Sequence, residues 1–306
     1  MKITPQSNVH FIVNPVSGTN SAPFDVIGQF MGQAECKTTM HVTKVTHSAT
    51  DCVADALTDN ADLVVVYGGD GSVMEVANCL HEHEIPLAIL AGGTANVIAH
   101  ELNIPINTQQ ALDLIFNQEN ELTSLDAGKV NDKHFLLRFS MGWEAELSLR
   151  PTTEAKSNWG TLAYTQSALQ ALSDTEPVTY ELTFDDGTVE SVAGINCSIC
   201  NIGNIGLYGM SIGLGISPHD GLLNVLILQN TNIQAMLDIT QNVLAGSLPL
   251  DIEERLPHYQ AKKITISPSN TQRLSIDGEA FEGAFPITVE CVENYISILT
   301  PKLEQK

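Results

Sequence analysis

Val64-Val65-Val66-Tyr67-Gly68-Gly69-Asp70-Gly71-Ser72 is an apolar run that ends abruptly in a glycine-rich turn, with a helical pattern directly after it. The run has the character of a buried parallel strand. Glycines at a strand-to-helix junction let a ligand approach the backbone with no Cβ in the way. The helix that follows offers unpaired N–H groups and the positive end of its dipole, a site suited to phosphate. A carboxylate in the middle of such a loop repels phosphate unless it holds Mg²⁺ or accepts a proton. The loop therefore points to phosphoryl transfer. The competing interpretation is a tight turn with a solvated Asp70.

Three further segments bear on that choice. Asn14-Pro15-Val16-Ser17-Gly18 follows the strand-like Val9–Val13, and Ala91-Gly92-Gly93-Thr94-Ala95-Asn96 follows Pro86–Leu90. Both are turn-forming loops after apolar runs. In open α/β sheets, ligands occupy the crevice at the carboxyl edge of the strands, where all three loops are expected. The fourth segment, Ser275-Ile276-Asp277-Gly278-Glu279, lies near the C-terminus.

In this order and at these distances, the four segments resemble the diacylglycerol kinase catalytic-domain family, and among its members the bacterial soluble lipid kinases related to sphingosine and ceramide kinases. Leu125-Asp126-Ala127-Gly128-Lys129-Val130, Gly160-Thr161-Leu162-Ala163-Tyr164 and Ser217-Pro218-His219-Asp220-Gly221-Leu222 extend the likeness over nearly the whole chain. The resemblance implies an ATP-dependent lipid kinase that uses Mg²⁺. Its acceptor would be diacylglycerol, a sphingoid base or a related glycerolipid. It also implies two domains with an active cleft between them.

The resemblance assigns roles residue by residue. Asn14 and Thr46 would lie near the nucleoside end. The phosphates would rest on Gly68, Gly69, Asp70, Gly71 and Ser72, with Glu75, Thr94 and Asn96 completing the nucleotide site. Glu279 would be the general base for the lipid hydroxyl, supported by Asp70, and Asp126 matches another acidic position. A base of this type contributes about 10²–10⁴-fold. Asp220 by its side chain, with Ser217 and Leu222 by their carbonyls, would hold a structural Mg²⁺, a hard-oxygen set; a plain turn is the alternative. The chain departs from the family at Val97, Leu137 and His219.

The 306 residues include 14 basic and 36 acidic side chains, a net charge of −22. Nucleic acid is then excluded as a partner, since phosphate contacts need clusters of Lys and Arg. The same deficit argues against adsorption through a polybasic face, so contact with a bilayer would be apolar and transient. No signal-peptide pattern follows Met1, so a cytoplasmic place is expected, with peripheral contact at the inner membrane face. Residues 191–218 carry no charge, but their six Gly and three Asn fit strands and turns better than a membrane span. The six cysteines read as buried free thiols. Cys197 and Cys200, three apart in a strand-like run, face opposite sides and do not make a metal pair. The nine histidines are scattered along the chain.

Residues 1–125 alternate strands (9–13, 40–46, 62–67, 87–91) with helices (24–34, 49–58, 72–82, 95–102, 108–117). That alternation implies a doubly wound parallel-sheet α/β domain, here the nucleotide-binding one. Residues 126–294 read as a β-sandwich-like lipid or acceptor domain. Its strands fall near 134–140, 178–185, 194–202, 222–229, 263–267, 272–276 and 287–292, and its helices near 161–173 and 233–246. A last strand near 295–300 would return to the first domain. Two other functions stay open: an NAD kinase-type enzyme with a soluble acceptor, and a nucleotide- or lipid-binding protein without turnover.

Overall fold

The computed structural model describes residues 1–18, 22–116, 120–148, 176–204, 215–229 and 256–302. The helices expected near 161–173 and 233–246, and the Gly160–Tyr164 stretch, lie outside these residues. The chain divides into two compact units, Met1–Leu125 with Asn294–Lys306, and Asp126–Glu293.

In the first unit, β1 (Asn8–Val13), β2 (Lys37–Val42), β3 (Leu63–Gly68) and β4 (Leu87–Ala91) form a parallel sheet in the order β2-β1-β3-β4. The apolar runs predicted from sequence are fully buried in β1, β3 and β4. Such runs belong to strands covered on both faces. One face carries α1 (Phe24–Gln33) and α5 (Thr108–Phe116), whose Ile27, Leu112 and Ile115 pack with Phe11, Val65 and Leu90. Against β1 and β3 lie also α2 (Ala49–Thr58) and α3 (Asp70–Leu80), which contact each other. Each buried Leu, Ile or Phe contributes about 1.5–3 kcal/mol. The last strand, β16 (Ile287–Pro301), pairs Ile298 with Leu87 in parallel, so the C-terminal segment returns to this sheet. This is the doubly wound α/β architecture that the sequence pattern implies.

The second unit is an antiparallel sandwich. One sheet runs β12 (His258–Ala261), β11 (Leu223–Leu228), β10 (Asn196–Cys200), β7 (Arg138–Gly142), β14 (Leu274–Ile276) and β15 (Glu279–Phe281). The other pairs β8 (Val178–Phe184) with β9 (Val189–Gly194) and with β13 (Lys263–Pro268), which pairs the first half of β16. Side chains from both sheets meet in one core: Phe139, Met141 and Ile199 on one side, Tyr180, Ile264 and Val289 on the other. Cys197 belongs to that core and Cys200 to a different cluster with Ile216 and Leu226. The period of two separates the thiols as the sequence requires.

Several boundaries differ from the sequence pattern. The strand expected at 134–140 is two, β6 (Lys133–Phe135) and β7. The break falls where the Asp277 carboxylate takes the N–H groups of Leu136, Leu137 and Arg138. Strand β2 stops at Val42, and the residues after it close a turn in which Lys44 and His47 exchange backbone hydrogen bonds. The pattern also passes over β5 (Asn120–Val130), β12, β15 and α6 (Trp143–Ser148). Gly128 in β5 is explained by packing: a Cβ there would sit 1.9 Å from the Phe135 ring.

Candidate functional site

Strands β1, β3 and β4 are neighbours, so the loops after them meet at one edge of the first unit's sheet. Their backbones are in contact. Gly92 N donates to Gly68 O, and Asn14 N donates to Tyr67 O. Asn14 Nδ2 donates to Ser72 Oγ at 2.9 Å, tying the first loop to the start of α3. A Cβ on Gly18 would meet Gly92 O at 2.3 Å, and one on Gly93 would meet Gly69 Cα at 2.6 Å. These glycines therefore let the loops pack on one another. This revises the expectation that the glycines keep space for a ligand. Only Gly71 of the phosphate loop has nothing within 4 Å of an added Cβ.

Asp70 is the first residue of α3, after the N-cap Gly69. Its Oδ1 accepts the N–H of Ile98 at 3.0 Å. Ile98 lies in the first turn of α4 (Val97–Glu101), whose own N-cap, Asn96, makes no side-chain cap. Asp70 thus caps a different helix from the one it begins, satisfying an orphan donor of the first turn. Burial raises its carboxyl pKa above the usual value of 3.8, and hydrogen bonds from Ile98 and Val97 act in the opposite direction. Asn96 is buried in the left-handed conformation and is also turned to structural work. Its Oδ1 accepts from Gly93 N and its Nδ2 donates to Gly93 O. Thr94 is exposed in the same loop.

Beside the joined loops lies a cavity of about 390 Å³, lined by Ile12, Asn14, Val16, Lys44, Val45, Ser48, Ser72 and Glu75, among others. Its mouth has two exposed valines, Val16 at 85% and Val45 at 107%. Glu75 is exposed and Ser72 half-buried. Thr46 sits in the exposed turn between Lys44 and His47 and is not among the lining residues, whereas Thr43 and Ser48 are. The structure therefore joins Asn14, Ser72 and Glu75 around one cavity, whereas Asp70 and Asn96 are outside its lining and bind backbone.

In the second unit, Asp277-Gly278 is a two-residue hairpin loop joining β14 to β15, with Ile276 opposite Glu279. Both loop residues have positive φ, 47° and 85°, as a type I′ turn requires. The Asp277 carboxylate accepts three backbone N–H groups at 2.9–3.0 Å, from Leu136, Leu137 and Arg138. Burial nevertheless raises its pKa to about 6. Leu137 is buried there, and its backbone carbonyl accepts from Asn201 N. Glu279, the first residue of β15, is exposed.

Asp126 is buried, its Oδ2 accepting Gly221 N at 2.8 Å and its N–H donating to Pro218 O. It therefore anchors the 217–222 loop. In that loop Asp220 is exposed and its Oδ1 accepts Leu222 N at 3.0 Å, in an Asx turn. The Asp126–Gly221 bond is not legible in the sequence, because 95 residues separate the two.

Residues 8–130 match the family described as the diacylglycerol kinase catalytic domain. Residues 138–300 match the YegS C-terminal NAD kinase beta sandwich-like domain. A Staphylococcus aureus (strain Newman) protein named "Putative lipid kinase" is 28% identical over 244 residues, 79% of this chain and 78% of its own. A solved Bacillus anthracis str. Sterne structure titled "A putative diacylglycerol kinase" aligns over 97% of this chain and 98% of its own, with 26% identity and a TM-score of 0.75. A second structure from that strain covers 98% of both chains with a TM-score of 0.77, at 24% identity. That second likeness speaks to the fold alone.

Proposed function

Because the chain belongs to the diacylglycerol kinase catalytic-domain family, with its YegS-type C-terminal domain, we propose that it transfers the γ-phosphoryl group of ATP to a hydroxyl of a lipid. The observation that carries this reading is the cavity beside the three packed loops. The exposed faces of Val16 and Val45 suit the flat apolar surface of a nucleobase, with Lys44 and Asn14 as polar partners. The N–H groups at the start of α3, around the open Gly71, suit phosphate oxygens. The Ser72 hydroxyl and the Glu75 carboxylate are hard oxygen donors on the same cavity and would hold Mg²⁺. When bound, the ion supplies the positive charge that phosphoryl transfer needs and this acidic chain lacks.

In this proposal Glu279 takes the proton of the acceptor hydroxyl. It is the exposed carboxylate of its turn, and Asp277 is committed to the backbone. Asp70 acts in support by fixing α4 and the Gly92–Asn96 loop. Asp220, Ser217 and Leu222 remain the proposed donors of a structural Mg²⁺. The lipid would be reached through transient apolar contact. Among the described residues, no helix is long and apolar enough to cross a membrane.

The test is ADP release from Mg-ATP against mixed micelles of diacylglycerol, sphingosine, ceramide and phosphatidylglycerol, with NAD in parallel. Turnover on a lipid supports the proposal and names the acceptor. Turnover on NAD alone replaces it with a soluble-acceptor kinase. Binding of ATP with no turnover on any of these favours a binding protein.

A further inference from the structure

The first unit gathers two histidines and a cysteine that the sequence scatters. His41 ends near the edge of β2, His47 closes the turn after it, and Cys52 lies one turn into α2. One ligand atom from each of these three lies within 4.8 Å of the others. A fourth donor stands beside them. Asp55 Oδ2 is 3.3 Å from His47 Nε2 and 3.9 Å from His41 Nδ1. Cys52 and Asp55 are three apart in α2 and so share one of its faces.

Behind His41 lies His10, buried in β1. His10 Nδ1 and His41 Nε2 share one hydrogen bond at 2.9 Å, and the rings stack with centroids 5.2 Å apart. That bond occupies His41 Nε2 and leaves Nδ1 on the side of Asp55. A hydrogen bond to the far ring nitrogen orients metal-ligating histidines in many proteins.

We infer that His41, His47, Cys52 and Asp55 form a site for a divalent ion of borderline softness, Zn²⁺ first, which braces the Lys44–His47 wall of the nucleotide cavity. Two imidazoles, one thiolate and one carboxylate suit Zn²⁺ or Co²⁺ and not Mg²⁺ or Ca²⁺. Tetrahedral Zn²⁺ places its donor atoms about 3.3–3.8 Å apart, so the His41, His47 and Cys52 atoms, within 4.8 Å of one another, close by about 1–1.5 Å, with Asp55 moving in from the histidine side. Cys52 binds as the thiolate, and its proton passes to solvent. The site backs onto the cavity, because Thr43, Lys44, Val45 and Ser48 line that cavity between the ligands His41 and Cys52. Lys44 and His47 are held to each other by two backbone hydrogen bonds, so fixing His47 fixes the turn.

The test uses the full chain, stripped with chelator. Zn²⁺ titrated by calorimetry in excess Mg²⁺ is expected to bind at one ion per chain. Co²⁺ is expected to give the intense absorption of a tetrahedral centre with a thiolate-to-cobalt charge-transfer band, and Cys52→Ser to remove that band. His47→Ala changes a partly exposed ring, so the fold survives, and Zn²⁺ affinity is expected to fall more than about 10-fold; His10→Asn, behind the site, is expected to cost about 10–100-fold. Zn²⁺ is also expected to slow tryptic cleavage after Lys44 in the wild type and not in His47→Ala. Zn²⁺ binding that His47→Ala leaves unchanged, or a cobalt spectrum with no sulfur band, overturns the site. Cleavage at Lys44 unaffected by Zn²⁺ overturns the bracing role.

Discussion

The turn at Asp70 and the turn at Asp277 look alike in sequence, each an acidic residue between glycines or beside one, followed by a glutamate. The structure uses them differently. Asp277 is locked by three backbone N–H groups and forms one corner of a type I′ hairpin. Asp70 gives an oxygen to the start of a neighbouring helix and keeps a half-buried position. In both units the aspartate organises backbone, and the glutamate nearby, Glu279 or Glu75, stays exposed. An acidic motif in sequence is therefore not one functional unit, because one carboxylate shapes the turn and the other is left for chemistry.

The strongest way to break this comparison is Asp277→Ala. It strands three N–H groups at about 1–3 kcal/mol each, and we expect about 3–5 kcal/mol of lost stability in urea denaturation. The matching change, Asp70→Ala, strands the Ile98 N–H and is expected to cost about 1–3 kcal/mol. Equal losses would erase the distinction.

The pH dependence sharpens it. The Asp277 pKa is raised from 3.8 to about 6 on folding. The folded state then holds more protons than the unfolded state in that window. The contribution is present below pH 3.8 and is lost as pH rises through about 6. Asp277→Asn should remove this fall, on the order of 1–3 kcal/mol, from a comparison of denaturation midpoints at pH 4 and pH 7. An unchanged difference between the two proteins would show that the carboxyl is not desolvated.

Glycines divide the loops of the first unit in the same way. Gly18→Ala meets Gly92 O and a φ of +75°, and is expected to cost about 1–3 kcal/mol of thermal stability. Gly71→Ala meets nothing within 4 Å. It is expected to leave stability unchanged or to raise it by up to about 1 kcal/mol, and to weaken ATP binding measured by calorimetry. Intact ATP binding in Gly71→Ala would move the phosphates away from α3.

The architecture of the first unit was legible because β1, β3 and β4 are buried on both faces and their apolar runs say so without tertiary help. The sandwich was legible as a class and less so in its strands. Leu136 and Leu137 continue an apolar run, and only Asp277, about 140 residues away, ends the strand there. Asp277-Gly278 carries the sequence signal of a type I′ turn, and that signal was available beside the motif. The role of Asp70 as the cap of α4 was not legible, since Ile98 is 28 residues distant. The His41–His47–Cys52 cluster is not legible for a similar reason. It depends on how the turn after β2 folds back on α2, and spacing alone does not show that.

The most direct measurement compares Glu279→Gln with Asp277→Asn on the acceptor lipid found in the ADP-release screen, with a thermal melt of each protein. The division of labour predicts that Glu279→Gln loses about 10²–10⁴-fold in kcat with an unchanged melting temperature, and that Asp277→Asn shifts the melt. A Glu279→Gln enzyme with wild-type kcat would contradict the assignment of the exposed glutamate as the base.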